Sequence, residues 1–168
     1  MKFQILIRFI LLFFCLSMMI ASAKAEINKG IELYQKRHMG SIGIIASDKF
    51  INSAIEYFSN EIENLAFEKD AAIYLLKSYY YKGEFATSEK AEKKKIFNTG
   101  KALGEKYIKK YPNMPSFRYW YLVNLGSWAQ VYGILTAARE GVADLMKTHS
   151  ERIIELDSEY ADGGGYFM

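Results

Sequence analysis

An all-α fold built from antiparallel helix pairs is what the sequence predicts, and three observations carry that expectation. Apolar residues recur at three- and four-residue steps along most of the chain, no stretch sustains the two-residue alternation of a strand, and only 2 prolines interrupt 168 residues. The 13 tyrosines and 11 phenylalanines point to helices packed through aromatic side chains. With 51% hydrophobic and 24% charged residues the chain is globular, not disordered, collagen-like or a disulfide scaffold. Its length fits a targeting segment and one domain able to bury a core without staples.

Residues 1–25 have the grammar of an export signal. Lys2 and Arg8 form a basic start, Phe9 to Ile20 carries no charge, and small residues follow in Ala21-Ser22-Ala23-Lys24-Ala25. Cleavage is expected after Ala25, which places the mature chain in the periplasm or outside the cell; the apolar run falls short of the roughly 18–20 residues that span a bilayer, the competing reading being a retained anchor. Lipidation at Cys15 is not expected, because two phenylalanines precede it where a small residue is needed. Lys2, Arg8 and Lys24 lie in this segment without any acid, so the formal charge of +3 falls to zero once it is removed. A neutral exported chain lacks the electrostatic footprint of a nucleic-acid binder. Cys15, the sole cysteine, leaves with the signal, and with it thiol catalysis, thiolate metal ligation and disulfides.

The next segment, 26–47, is expected to be partly helical, and 48–168 to form the main domain. Phe50 to Leu65 places Phe50, Ile51, Ala54, Ile55, Phe58, Ile62 and Leu65 on one helical stripe, with Asp48 as N-cap and a start near Lys49. Ala71 to Tyr81 repeats the pattern and is expected to end in a turn at Lys82-Gly83-Glu84. Lys90 to Lys110 is a third helix, stopped by Pro112 and Pro115; a fourth opens near Ser116 and runs to Gly133, and a fifth spans Ala137 to Leu156.

Helix pairs with a glycine at the bend invite a test for a period of about 34 residues. Ala72, Leu75, Leu76, Tyr79, Gly83 and Phe85 fall in order on the anchors of a first helix and its bend, and Ala54 and Phe58 fall in the same register on the preceding helix. Leu125-Gly126 and Gly133 mark a second unit, closed by Ile153-Ile154-Glu155-Leu156-Asp157. The pattern resembles the tetratricopeptide repeat, which implies a helix-pair solenoid. Its units are irregular, since Gly83 and Gly133 lie 50 residues apart and extra residues occur around 86–97 and 138–147. The Tyr119-Trp120-Tyr121 helix, the Tyr81-Lys82-Gly83-Glu84-Phe85 turn and the Tyr160-Ala161-Asp162-Gly163-Gly164 stretch further resemble the tetratricopeptide-like T component associated with TRAP-type solute transporters. That likeness implies an exported, non-catalytic protein working beside a solute-binding subunit. It also implies a further helix pair after Met168, so that the chain reads as a shortened member.

In such a solenoid the first helices of successive units line one concave face. The register then selects Lys77, Tyr80 and Tyr81 from one unit and Trp120, Asn124, Ser127 and Gln130 from the next as contacts for a partner or ligand. Lys77 and Asn124 would together hold a carboxylate, as point charge and amide donor. Trp120 and Trp128, eight residues apart, read better as core than as a ligand box. His38 and His149 read as surface residues, with no metal-ligand spacing around either. No nucleophile elbow or phosphate-cradling glycine loop is present; Gly163-Gly164-Gly165 reads as a turn and Glu89 to Lys95 as a solvated face with Glu89 and Lys93 paired.

These readings favour a protein-binding adaptor with no catalysis, metal or cofactor, whose partner is a protein such as a solute-binding subunit. No nucleic acid and no membrane span after cleavage are expected, and self-association remains open as a way for a short array to cover an exposed face. The alternative is a small-molecule carrier with an aromatic-lined cavity between its helices.

Overall fold

The computed structural model describes residues 27–64 and 66–168; the export signal expected over 1–25, and Leu65, lie outside them. The described chain is all-helical, with a lone backbone bridge between Ile42 and Ile45 in place of any strand. Helix α1 covers 27–35 and tightens into a 3-10 turn at Lys36–His38. Then follow α2 (Lys49–Glu61), α3 (Glu68–Phe85), α4 (Lys90–Lys110), α5 (Pro115–Tyr132), the short α6 (Ile134–Arg139) and α7 (Val142–Leu156). Among these described residues no helix is long and apolar enough to cross a membrane.

Packing follows chain order. The α2 helix lies on α3, α3 on α4 and α5, α4 on α5, and α5 on α7. The core is accordingly strung out in three clusters. Ile27, Ala54, Phe58, Ala71 and Leu75 join α1, α2 and α3; Ala72, Leu76, Tyr107 and Phe117 join α3, α4 and α5; Phe97, Tyr121, Leu122, Leu125, Trp128, Val142 and Ile153 join α4, α5 and α7.

Several local expectations need correction. Asp48 does not cap α2 with its carboxylate: its backbone is already helical (φ −81°, ψ −9°), and the carboxylate instead accepts from the Asn52 side chain at 3.1 Å. The α3 helix does not break at Gly83 but continues to Phe85. A helix tolerates one interior glycine at a cost of about 1 kcal/mol, and here the missing Cβ makes room for a neighbour. Gly83 is buried under the Phe97 ring of α4, whose Cε2 lies 3.0 Å from where a Cβ would stand. The fifth predicted helix is two, because Gly141 takes a left-handed conformation (φ +66°) between α6 and α7. Pro115 stops nothing; it opens α5 in the first turn, where its missing N–H costs no hydrogen bond. Within the 89–95 charge run the ion pair among the described residues is Glu92 with Lys95 at 3.5 Å, in place of the expected Glu89 with Lys93. The 163–165 stretch is a turn, with Gly163 at φ +76° leading into a 3-10 turn at Gly164–Tyr166.

One polar clasp ties the start of α3 to the end of α4. The Glu68 carboxylate, only 6% exposed, accepts from Tyr107 Oη at 3.0 Å and Tyr111 Oη at 2.7 Å and pairs with the Lys110 ammonium. The Lys110 hydrogen bond, seconded by Tyr111, holds its carboxyl down to about 2, from 4.5. A second contact of this kind joins α5 to α7, where Arg118 Nη1 lies 2.7 Å from His149 Nδ1. Arginine can only donate, so that nitrogen is an unprotonated acceptor. Burial, and then the Arg118 charge, holds His149 below its ordinary value of 6.5. His149 is thus a half-buried contact, not a free surface residue; His38 is exposed.

Both groups have folded-state values below their unfolded ones, so the unfolded chain binds more protons and stability rises with pH through each window. The His149 contribution is complete above 6.5 and declines as pH falls below it. The Glu68 contribution is complete above 4.5 and is lost as pH falls through about 2. Urea titrations across the acid range should show both declines, and Glu68→Gln should shrink the lower one, to which Glu32 beside Lys36 also contributes, while lowering stability at neutral pH.

Candidate binding face

Three helices contribute side chains to one continuous aromatic face. Tyr34, in the last turn of α1, meets Tyr74 of α3 edge-on at 5.5 Å between ring centroids. Arg37, in the following 3-10 turn, lays its guanidinium over Tyr34 at 4.3 Å and over Tyr81 at 5.1 Å. One turn beyond Tyr74, Lys77 places Nζ 4.6 Å from the Tyr74 centroid and 5.4 Å from that of Trp120 on α5. Tyr80 completes the join between α3 and α5, its ring 6.3 Å from Trp120, and Tyr119 extends the row to Tyr160 at 5.6 Å.

The backbone fixes these positions. Tyr81 Oη donates to the Arg37 carbonyl at 3.3 Å, and Arg37 Nη1 donates to the Tyr34 carbonyl at 3.1 Å. Helical spacing does the rest: Tyr34 to Arg37 and Tyr74 to Lys77 are each three residues apart, which stacks each cation over the ring one turn earlier.

Cations sit at the centre of the face and carboxylates at its border: burial raises the Tyr74 and Tyr80 phenols above the ordinary value, and Asp70 adds to this for Tyr74 and Glu84 for Tyr80. Neither Arg37 nor Lys77 is among the ion pairs formed by the described residues. Arg37 Nε is buried without a hydrogen-bond partner. Burial, and then the neighbouring Arg37 charge, holds Lys77 below the ordinary lysine value, and burial raises Tyr34 above the ordinary phenol value. Two neighbouring cations, held on ring faces and outside the ion pairs of the described residues, form a place where an incoming anion gains from both charges.

Of the residues selected from sequence, Lys77, Tyr80, Tyr81 and Trp120 come together here. Asn124 and Ser127 do not reach the face. Asn124 is fully buried, its Nδ2 donating to the Leu76 carbonyl at 3.1 Å and the Trp120 carbonyl at 2.8 Å, so it cannot share a carboxylate with Lys77. Ser127 is 5% exposed, and Gln130 is exposed with no contact joining it to the others. The two tryptophans part company: Trp128 is core, donating to Asn98 Oδ1 at 2.7 Å and stacked on Tyr132, whereas Trp120 is half-buried with one side on this face. Tyr34, Arg37 and Tyr74 were missed by sequence reasoning. The signal was present in the repeated Tyr-x-x-cation spacing on α1 and α3.

Among the described residues no group of three His, Cys, Asp or Glu side chains is placed to hold a metal ion. Compared with known proteins, the chain matches no family model, no curated protein and no solved structure.

Proposed function

We propose that this chain is an exported, non-catalytic helical-repeat adaptor whose α1–α3–α5 face grips an acidic segment of a protein partner, such as a solute-binding subunit. The observation that carries this reading is the pair of unneutralised cations, Arg37 and Lys77, seated on aromatic rings from three helices. Tyrosine, tryptophan and arginine are the residues that anchor protein interfaces, because they offer large rigid contact area and directed charge. The packing of α3 on both α4 and α5, and of α5 on α7, supports a tetratricopeptide-like array in which alternate helices line one side. A carboxylate from the partner would lie between the two cations, with its apolar neighbours against Tyr80 and Trp120.

The test is affinity capture of the partner, its identification by mass spectrometry, and titration of the purified pair. Arg37→Ala/Lys77→Ala should weaken binding by roughly tenfold or more, as expected for loss of a central anchor, and should flatten the salt dependence of the remaining affinity. Unchanged affinity in the double variant sinks this face as the binding surface. A co-purifying small molecule in place of a protein would favour the carrier alternative.

A further inference from the structure

Along α3 the residues of the face follow one another in steps of four, three, four and three: Asp70, Tyr74, Lys77, Tyr81 and Glu84. That is the spacing with which a helix keeps one seam turned toward a second helix. The seam lies opposite the side on which α3 buries Ala71, Ala72, Leu75 and Leu76, and none of its five residues is buried. Tyr34 and Arg37 of the α1 end stand along one border, Tyr80 and Trp120 along the other.

Charge along the seam alternates, with an acid at each end and a cation in the middle. Asp70 and Glu84, like Lys77, are outside the ion pairs formed by the described residues. Each carboxylate is seven residues from Lys77, which is two helical turns and about 10.5 Å. Three charges are thus set out at equal intervals on one side of a helix, none of them used by the fold.

We propose, on the basis of the adaptor reading above, that the partner segment is an α-helix laid along α3 with cation, acid and cation at seven-residue steps. Its acid would lie between Lys77 and Arg37, its two cations on Asp70 and Glu84, and its intervening apolar residues on Tyr74 and Tyr81. The interval selects a helix over a strand. A strand returns to one face every second residue, at about 6.7 or 13.4 Å, and misses the interval both times; a helix returns after seven residues at the same distance as α3 itself. The sequence also selects a different protein over a second copy, because no acidic residue of this chain has Lys or Arg both seven residues before it and seven after.

The probes are two fluorescent synthetic helices of about 22 residues, one with Lys, Glu and Lys at steps of seven, the other with the same residues at steps of five, which scatters them around the helix. Titrated against the full chain by fluorescence anisotropy, the first should bind at least roughly tenfold more tightly than the second. Asp70→Lys/Glu84→Lys, with unchanged helical circular dichroism, should weaken the first by roughly tenfold or more and turn the preference to a helix with three Glu at the same steps. Equal binding of the two helices, no binding of the first, or indifference to Asp70→Lys/Glu84→Lys would each overturn the proposal. Failure of the face itself reads differently. A captured partner weakened by Arg37→Ala/Lys77→Ala but not by Asp70→Lys/Glu84→Lys leaves the face standing without the helix, and one weakened by neither removes both.

Discussion

Gly104→Leu should cost about 3 kcal/mol or more of folding stability, a large share of the roughly 5–15 kcal/mol that a domain possesses. Gly104 and Gly100 lie one turn apart on α4, on the side that meets α5. A Cβ at Gly104 would stand 2.8 Å from Tyr121 Cβ and 3.2 Å from Tyr121 Cα. The obstruction is backbone, which cannot rotate aside, and Tyr121 and its neighbours Leu122 and Leu125 are core residues. Leucine must therefore push α5 off α4 and open two clusters at once. Gly126→Ala supplies the opposite sign: no atom lies within 4 Å of its would-be Cβ, so removing a helix-interior glycine should gain about 0.5–1 kcal/mol. Urea denaturation of the two variants beside wild type checks both. Equal stabilities for Gly104→Leu and wild type would mean that the helices are not in contact there.

Asn124→Asp should be nearly as damaging at neutral pH, by about 3 kcal/mol or more, and its damage should be reversible by acid. The Asn124 Nδ2 donates to two backbone carbonyls, of Leu76 and Trp120, inside a fully buried site. A carboxylate there would set oxygen against two carbonyl oxygens in a site closed to solvent. Burial and the two carbonyls would both favour the protonated acid, raising the folded-state pKa above the unfolded one. Such a group lowers stability as pH rises through the raised value, so the variant should lie closest to wild type near pH 5 and fall furthest behind near pH 8, opposite in trend to the wild-type acid declines. Denaturation midpoints at the two pH values decide it; a pH-independent deficit would mean that the side chain has swung out to solvent.

The helices were legible where apolar periodicity was uninterrupted. The Lys90 to Lys110 boundaries were read to the residue, and α2 and α5 began within one residue of expectation. What sequence reasoning misjudged was glycine. Gly83 was read as a bend although it is a contact, Gly141 was overlooked although it breaks a helix, and the Gly100/Gly104 pair was passed over. A glycine's role depends on what stands opposite, and Phe97, Asn124 and Tyr121 are all remote in sequence from the glycines they cover. The face was half legible for a related reason. The register placed Lys77, Tyr80, Tyr81 and Trp120 on alternate helices, but Asn124 was indistinguishable from an exposed polar residue until α4 was laid over it. Arg37 lay in a segment for which no register had been set.

Chain-order packing gives the molecule a gradient of cohesion from its middle outward. The α3–α4–α5 centre is held on several sides and clasped at Glu68, whereas α1 joins the core through Ile27, Ile31, Leu33 and Tyr34 in the cluster it shares with α2 and α3. Peripheral elements open locally before the centre of a packed domain melts. Arg37 and Tyr34 therefore hang from the part that opens most readily, facing Lys77 and Trp120 on the part that opens last. A ligand bridging them would stitch the loose end to the firm one, so that occupancy of the face and order of the N-terminal helix rise and fall together.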